Sequence, residues 1–132
     1  MPQHEFLADR CLGKRVVGIL QSAQLTVHTL TDLFGETQAQ SMSDEDWIRH
    51  AGQRRYVVLT KDQRIQHRTM EREAVAEHRV HLFALGSGNL GFREMAGAFL
   101  TASARMIEIV DQESPGGIWV VSRNGDVVKR FP

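Results

Sequence analysis

Three aspartates stand where chemistry is easiest to build. Asp9 closes the short apolar run Phe6-Leu7-Ala8, and Asp62 follows the run Tyr56-Val57-Val58-Leu59-Thr60 after Lys61. Asp44 opens the acidic segment Asp44-Glu45-Asp46 behind Ser43. Carboxylates brought together at strand ends cannot all stay ionised without a compensating cation, and hard oxygen donors with room for water suit Mg²⁺ or Mn²⁺. The constellation therefore predicts a divalent-metal site, provided that the helix begun by Asp44 starts on the same rim. Each acid also has an ordinary role open to it. Ser43 and Asp46 can close a capping box, Asp9 can cap the helix that follows, and Asp62 can form an Asx-turn.

The charges around these acids are unevenly spread. From Asp32 to Asp46 there are acids and no Lys or Arg, whereas from Arg49 to Arg79 eight basic residues face four acids. An acidic knot followed by a basic stretch fits a metal site beside a polyanion surface, and a merely solvated face gives the same pattern. Across all 132 residues, 16 Lys and Arg balance 16 Asp and Glu, which excludes a globally basic nucleic-acid binder.

The elements that must position the acids follow from periodicity. Leu12, Val16, Ile19, Leu20 and Ala23 recur at helical spacing; Leu25 to Leu30 alternates like a strand; a polar connection leads to a helix with Trp47, Ile48 and Ala51 inward. Tyr56 to Thr60 is continuously apolar, as in strands covered on both faces. Met70, Ala74, Val75 and His78 mark a helix, Val80 to Leu85 a strand, and Phe92, Met95, Ala96, Phe99, Ser103, Met106, Ile107 and Val110 one face of a long helix. The Asn124-Gly125 pair between Ile118–Ser122 and Asp126–Phe131 signals a hairpin. Strands alternating with helices imply a mostly parallel α/β sheet, with ligands gathered at the carboxyl ends of its strands. We expect one domain over residues 1–132, without disulfides, since Cys11 is the sole cysteine. No run approaches the ~20 apolar residues of a membrane span, and the N-terminus lacks a secretory pattern, so a cytoplasmic protein is expected.

The run Ser43-Asp44-Glu45-Asp46-Trp47-Ile48-Arg49-His50-Ala51, with Tyr56 to Asp62 after it, resembles the PIN-domain signature. There an acid lies seven residues before a helix Ala, and an apolar strand ends in Thr-x-Asp. Phe6-Leu7-Ala8-Asp9 looks like the family's first strand with its terminal acid. Arg64-Ile65, Met70 to Ala74 and Val80 to Leu85 extend the similarity to compact PIN-like toxins of bacterial VapBC toxin–antitoxin systems. The resemblance implies a three-layer α/β/α PIN-like fold with a mostly parallel central sheet, here ending in a C-terminal β-hairpin. It also implies metal-dependent hydrolysis of RNA phosphodiesters that leaves a 5′ phosphate. Asp9, Asp44 and Asp62 would be the catalytic metal ligands, with Mg²⁺ or Mn²⁺ bound and Thr60 as the bracing hydroxyl. The family's second acid, usually a Glu between the first and third, has no clean match; Glu36 and Glu45 are candidates. Lys61, Arg64, Arg68 and Arg10 could hold RNA phosphates, although Arg68 and Arg72 are also spaced to pair with neighbouring glutamates. A cognate antitoxin is the partner the resemblance implies, and a homodimer is another assembly open to the chain.

Three other readings compete. Gly86-Ser87-Gly88-Asn89-Leu90-Gly91 matches the dinucleotide-binding fingerprint between a strand and a helix, but Asp111 then falls at the helix end instead of the next strand tip. A receiver module would need an acidic pair after the first strand, where Arg10 follows Asp9. A catalytically silent PIN fold that binds RNA or protein is the last. The six histidines show no paired spacing on a helix face, Trp47 and Trp119 read as packing residues, and Cys11 reads as an inert thiol.

Overall fold

A computed structural model describes residues 4–87 and 89–132. The strands are β1 (Glu5–Ala8), β2 (Thr26–Thr29), β3 (Val57–Thr60), β4 (His81–Leu85), β5 (Gly117–Val121) and β6 (Val127–Phe131). The helices are α1 (Lys14–Ser22), α2 (Leu30–Phe34), α3 (Glu36–Ser41), α4 (Asp44–Arg54), α5 (Thr69–Glu77) and α6 (Phe92–Gln112). Arg10–Leu12 and Gln63–His67 are short 3-10 turns. All six strands join one sheet in the order β2-β1-β3-β4-β5-β6. Every pairing is parallel except β5 with β6, which is the hairpin that Asn124-Gly125 announces. Gly125 takes φ 86° in that turn, a conformation glycine adopts without a Cβ penalty.

Two apolar clusters, one on each face of the sheet, make the fold three-layered. Phe6, Ala8, Val57, Leu59, Phe83 and Trp119 pack with α1 and α6, while Leu7, Val58, Leu82 and Ile118 pack with Trp47, Ile48, Ala74 and Val75 of α4 and α5. Strand β3 is buried at every residue because helices cover both of its faces, as its unbroken apolar run implies. Trp119 stacks on Phe83 at 5.4 Å between ring centroids, a packing role.

Two local readings change. The stretch read as a polar connection holds α2 and α3, jointed at Gly35 with φ 83°. Thr29 caps the first of them by accepting from Asp32 N at 3.0 Å; Leu30 of α2 and Ala39 of α3 are buried. Helices this short carry too few apolar residues to show a period. Met70, read with Ala74, Val75 and His78 as the apolar marks of a helix, lies in the first turn of α5 and is 64% exposed, so the buried residues of that helix are Ala74 and Val75.

Glycines separate close approach from open space. A Cβ on Gly52 of α4 would lie 2.3 Å from the carbonyl oxygen of His78, beyond the end of α5, whereas one on Gly18 of α1 meets nothing within 4 Å. Gly52→Ala is expected to lower stability by about 2 kcal/mol through overpacking against backbone. Gly18→Ala should raise it by roughly 0.7 kcal/mol through helix propensity. Urea titration of both variants checks the contrast; equal effects would contradict it.

Candidate functional site

Strand alternation builds the site. Phe6 and Ala8 on β1, and Val57 and Leu59 on β3, face α1 and α6; the next side chain on each strand, Asp9 and Thr60, therefore turns to the α4 side at the carboxyl rim. The register Ala8↔Leu59, extended by Asp9 N donating to Leu59 O at 3.0 Å, sets the two side by side. The Thr60 hydroxyl donates to Asp9 Oδ2 at 2.8 Å and accepts from the Asp62 amide at 3.0 Å. One fully buried hydroxyl thus ties both strand ends together. The Cys11 thiol adds a contact, 3.3 Å from Asp9 Oδ2 and 3.3 Å from Thr60 Oγ1.

Asp9 is 9% exposed, and burial pushes its carboxyl above the usual carboxylate range. The hydrogen bonds from Thr60 and Cys11 pull the other way, and the Asp44 charge raises it further. The Cys11 thiol is likewise pushed up, mainly by burial and then by the Asp9 charge, so it stays protonated and unreactive at neutral pH.

Asp44 reaches this rim because α4 leads into β3 and starts above its far end. Its Oδ1 accepts from the indole Nε1 of buried Trp47 at 3.0 Å, one turn along the helix. The capping box belongs to Ser43 and Asp46, which leaves Asp44 out of the cap. Asp62 does form the Asx-turn: its Oδ1 accepts from both the amide and Nε of Arg64, each at 3.2 Å. Its other oxygen, Oδ2, lies 2.9 Å from Arg68 Nη1, and the same nitrogen is 3.7 Å from Asp44 Oδ2. Asp9 leads the first 3-10 turn but makes no side-chain cap.

The remaining candidates divide. Arg68 pairs with two aspartates, not with a glutamate, and Arg72 lies 4.5 Å over the Phe131 ring. Arg10 donates to the carbonyls of Ala39 at 3.1 Å and Gln40 at 2.6 Å, so its guanidinium serves the end of α3. Lys61 is exposed, and so is Arg64, at 77% of its side chain, beside the acids. Glu45 follows Asp44 and so points about 100° around α4 from it. Glu36 is exposed in the first turn of α3. The roles of Trp47 and Cys11 are the ones that sequence reading missed; the three-residue spacing of Asp44 and Trp47 was the available signal.

Residues 4–87 match the model of a family described as a PIN-like domain. The chain belongs to the PIN-like domain family. It is also 30% identical over 97 residues to a Mycobacterium tuberculosis (strain ATCC 25618 / H37Rv) protein with the provisional name ribonuclease VapC45, covering 73% of this chain and 70% of that protein. No solved structure matches. The expected PIN-like fold, with its mostly parallel sheet and terminal hairpin, is thus borne out. No helix among the described residues is long and apolar enough to cross a membrane.

Does a metal fit this PIN-like rim? Among the described residues, no three acids, cysteines or histidines are grouped closely enough to hold a metal ion as they stand. The donor chemistry nevertheless suits a hard cation: a buried carboxylate with its pKa raised, a second carboxylate that raises it further, and a third tied to the first through Thr60. Arg68 supplies the positive charge that two of these acids already share. Asp9 receives hydrogen bonds there but has no ion-pair partner among the described residues.

The glycine loop offers less. Gly88 lies outside the described residues, and Asp111 pairs with His4 at 3.0 Å, ahead of β1 on the opposite rim from the loop. Two cavities among the described residues are lined by neither Asp9, Asp44 nor Asp62. One of about 210 Å³ is lined by Phe34, Met42, Asp46 and His50 among others. The other, about 370 Å³, lies between Gly86-Ser87 and the hairpin.

Proposed function

We propose that this PIN-like chain is an endoribonuclease dependent on Mg²⁺ or Mn²⁺, and that it acts as the toxin of a toxin–antitoxin pair in the cytoplasm. The observation that carries the reading is the Thr60 hydroxyl joined to both Asp9 and Asp62, with Asp44 close enough for its charge to act on Asp9. The name of the mycobacterial relative supports ribonuclease activity and a VapB-type antitoxin partner.

Asp9, Asp44 and Asp62 are the residues that would hold the ion. When bound, a divalent cation supplies charge stabilisation at the scissile phosphate and makes a water nucleophilic at neutral pH. The chain's own residues do the positioning. Thr60 fixes the Asp9 carboxylate, Trp47 fixes that of Asp44, and the 3-10 turn after Asp62 fixes the third. Exposed Lys61, and Arg64 while its Nε stays on Asp62, would bind backbone phosphates, a contribution that is sequence-blind and weakens with salt.

The test is cleavage of single-stranded RNA by the purified protein. Activity with Mn²⁺ or Mg²⁺, its loss in EDTA and its recovery on adding metal back are expected. No cleavage of any RNA at millimolar metal would overturn the reading. The Arg68 pairing with Asp44 and Asp62 favours a second reading, a PIN fold that binds RNA or protein without cutting; retention of RNA with no metal-stimulated cleavage would establish it.

Trp47→Phe tests the positioning of Asp44. The ring remains but the Nε1 donor is lost, so Mn²⁺ affinity is expected to fall about tenfold, as for other groups that orient metal ligands. Calorimetric titration measures it, and unchanged affinity would deny Trp47 this role.

A further inference from the structure

We propose that Arg68 is a built-in counter-ion that occupies the cation position between Asp44 and Asp62 and sets how tightly the site takes a divalent metal. The inference rests on the metal-site reading above and adds the residue that governs its affinity.

The geometry is specific. A single nitrogen, Arg68 Nη1, sits 2.9 Å from Asp62 Oδ2 and 3.7 Å from Asp44 Oδ2, so one guanidinium joins α4 to the turn after β3. Among the described residues the neighbouring arginines do not bridge the two acids. Arg64 takes the opposite oxygen of Asp62, Arg49 pairs with Asp46 at 3.3 Å, and Arg72 stacks on Phe131. Arg68 itself lies at the extended joint between the second 3-10 turn and α5, with φ −92° and ψ 118°. Its side chain is 36% exposed, so it can swing into solvent without disturbing the core.

A divalent ion bound to Asp44 and Asp62 would need the oxygens that Arg68 now holds. Two cations within a few ångströms repel, and metal entry therefore displaces the guanidinium. The displacement costs affinity, while the acids stay together before the metal arrives because Arg68 bridges them. Asp9, whose buried carboxylate Arg68 does not reach, would be the further residue to hold a dication, and that difference would favour the exchange. Arg68 is thus a positioning residue of the metal-free state and an affinity-setting residue of the loaded one.

Calorimetric Mn²⁺ titration and metal-free thermal melts of the full chain, wild type against Arg68→Gln and Arg68→Lys, test this. Arg68→Gln is expected to bind Mn²⁺ about tenfold more tightly, as removal of a competing charge a few ångströms away implies, and to melt at a lower temperature without metal, whereas Arg68→Lys, which keeps the charge, stays near wild type. Arg68→Gln binding that is equal to or weaker than wild type, with wild type still binding, would overturn the counter-ion role and leave the metal site standing. So would Arg68→Lys tightening as much as Arg68→Gln, since charge would then not be the cause. If no variant binds Mn²⁺, the metal site itself fails and this inference falls with it.

Discussion

Asp9→Asn is expected to abolish RNA cleavage and, in the same molecule, to make the metal-free protein more stable at neutral pH. The first effect follows from removing a metal-holding carboxylate, and a loss of more than about 100-fold is expected. The second follows from burial. Because the folded carboxyl has its pKa raised, the native state binds more protons than the unfolded chain. The stability Asp9 contributes is therefore fully present below its unfolded value and is lost as pH rises through the raised folded value. Asparagine keeps an oxygen to accept the Thr60 hydroxyl and carries no charge to desolvate. At pH 7 the variant should gain about 1 kcal/mol, as is common where a site is held against stability. The two proteins should converge as the pH falls below about 4. Denaturation in EDTA across that range is decisive: an Asp9→Asn protein less stable at pH 7 would mean that burial of this charge is not the governing effect.

Thr60→Val should do the reverse, losing both stability and activity. Valine matches threonine in shape, so the change isolates the hydroxyl. It leaves the buried Asp9 Oδ2 without its shortest donor and the Asp62 amide without its acceptor. Unsatisfied groups of this kind cost about 1–3 kcal/mol each, so a loss of roughly 3 kcal/mol is expected, with cleavage reduced by about 100-fold. Thr60→Ser, which restores the hydroxyl, should recover most of the activity. A valine variant that folds and cuts like wild type would remove Thr60 from the site.

Much of this arrangement was legible in the residues. A period-two run located β2, an unbroken apolar run located β3, the Asn-Gly pair located the hairpin, and acids at strand ends pointed to the rim that the sheet order then formed. The competing ordinary role was also legible: Ser43 and Asp46 form the cap, which frees Asp44. What stayed hidden depends on contacts between distant segments. Nothing in the spacing of Arg68 tells that its partners are Asp44 and Asp62 and not the glutamates of the helix that follows it, because long flexible side chains choose partners in three dimensions. Helices α2 and α3 were hidden for a different reason, since five and six residues hold less than two turns of pattern. Arg10 depends on contacts between distant segments too: an arginine beside an acid suggests phosphate, and in the fold its guanidinium donates to main-chain oxygens 29 and 30 residues away.

That arginine makes part of the scaffold indifferent to ionic strength. Its grip on the Ala39 and Gln40 carbonyls moors the residue next to Asp9 to the segment that delivers Asp44, and neutral acceptors give dissolved ions little to shield. Concentrated brine should accordingly loosen the guanidinium of Arg68 while the acids keep their alignment.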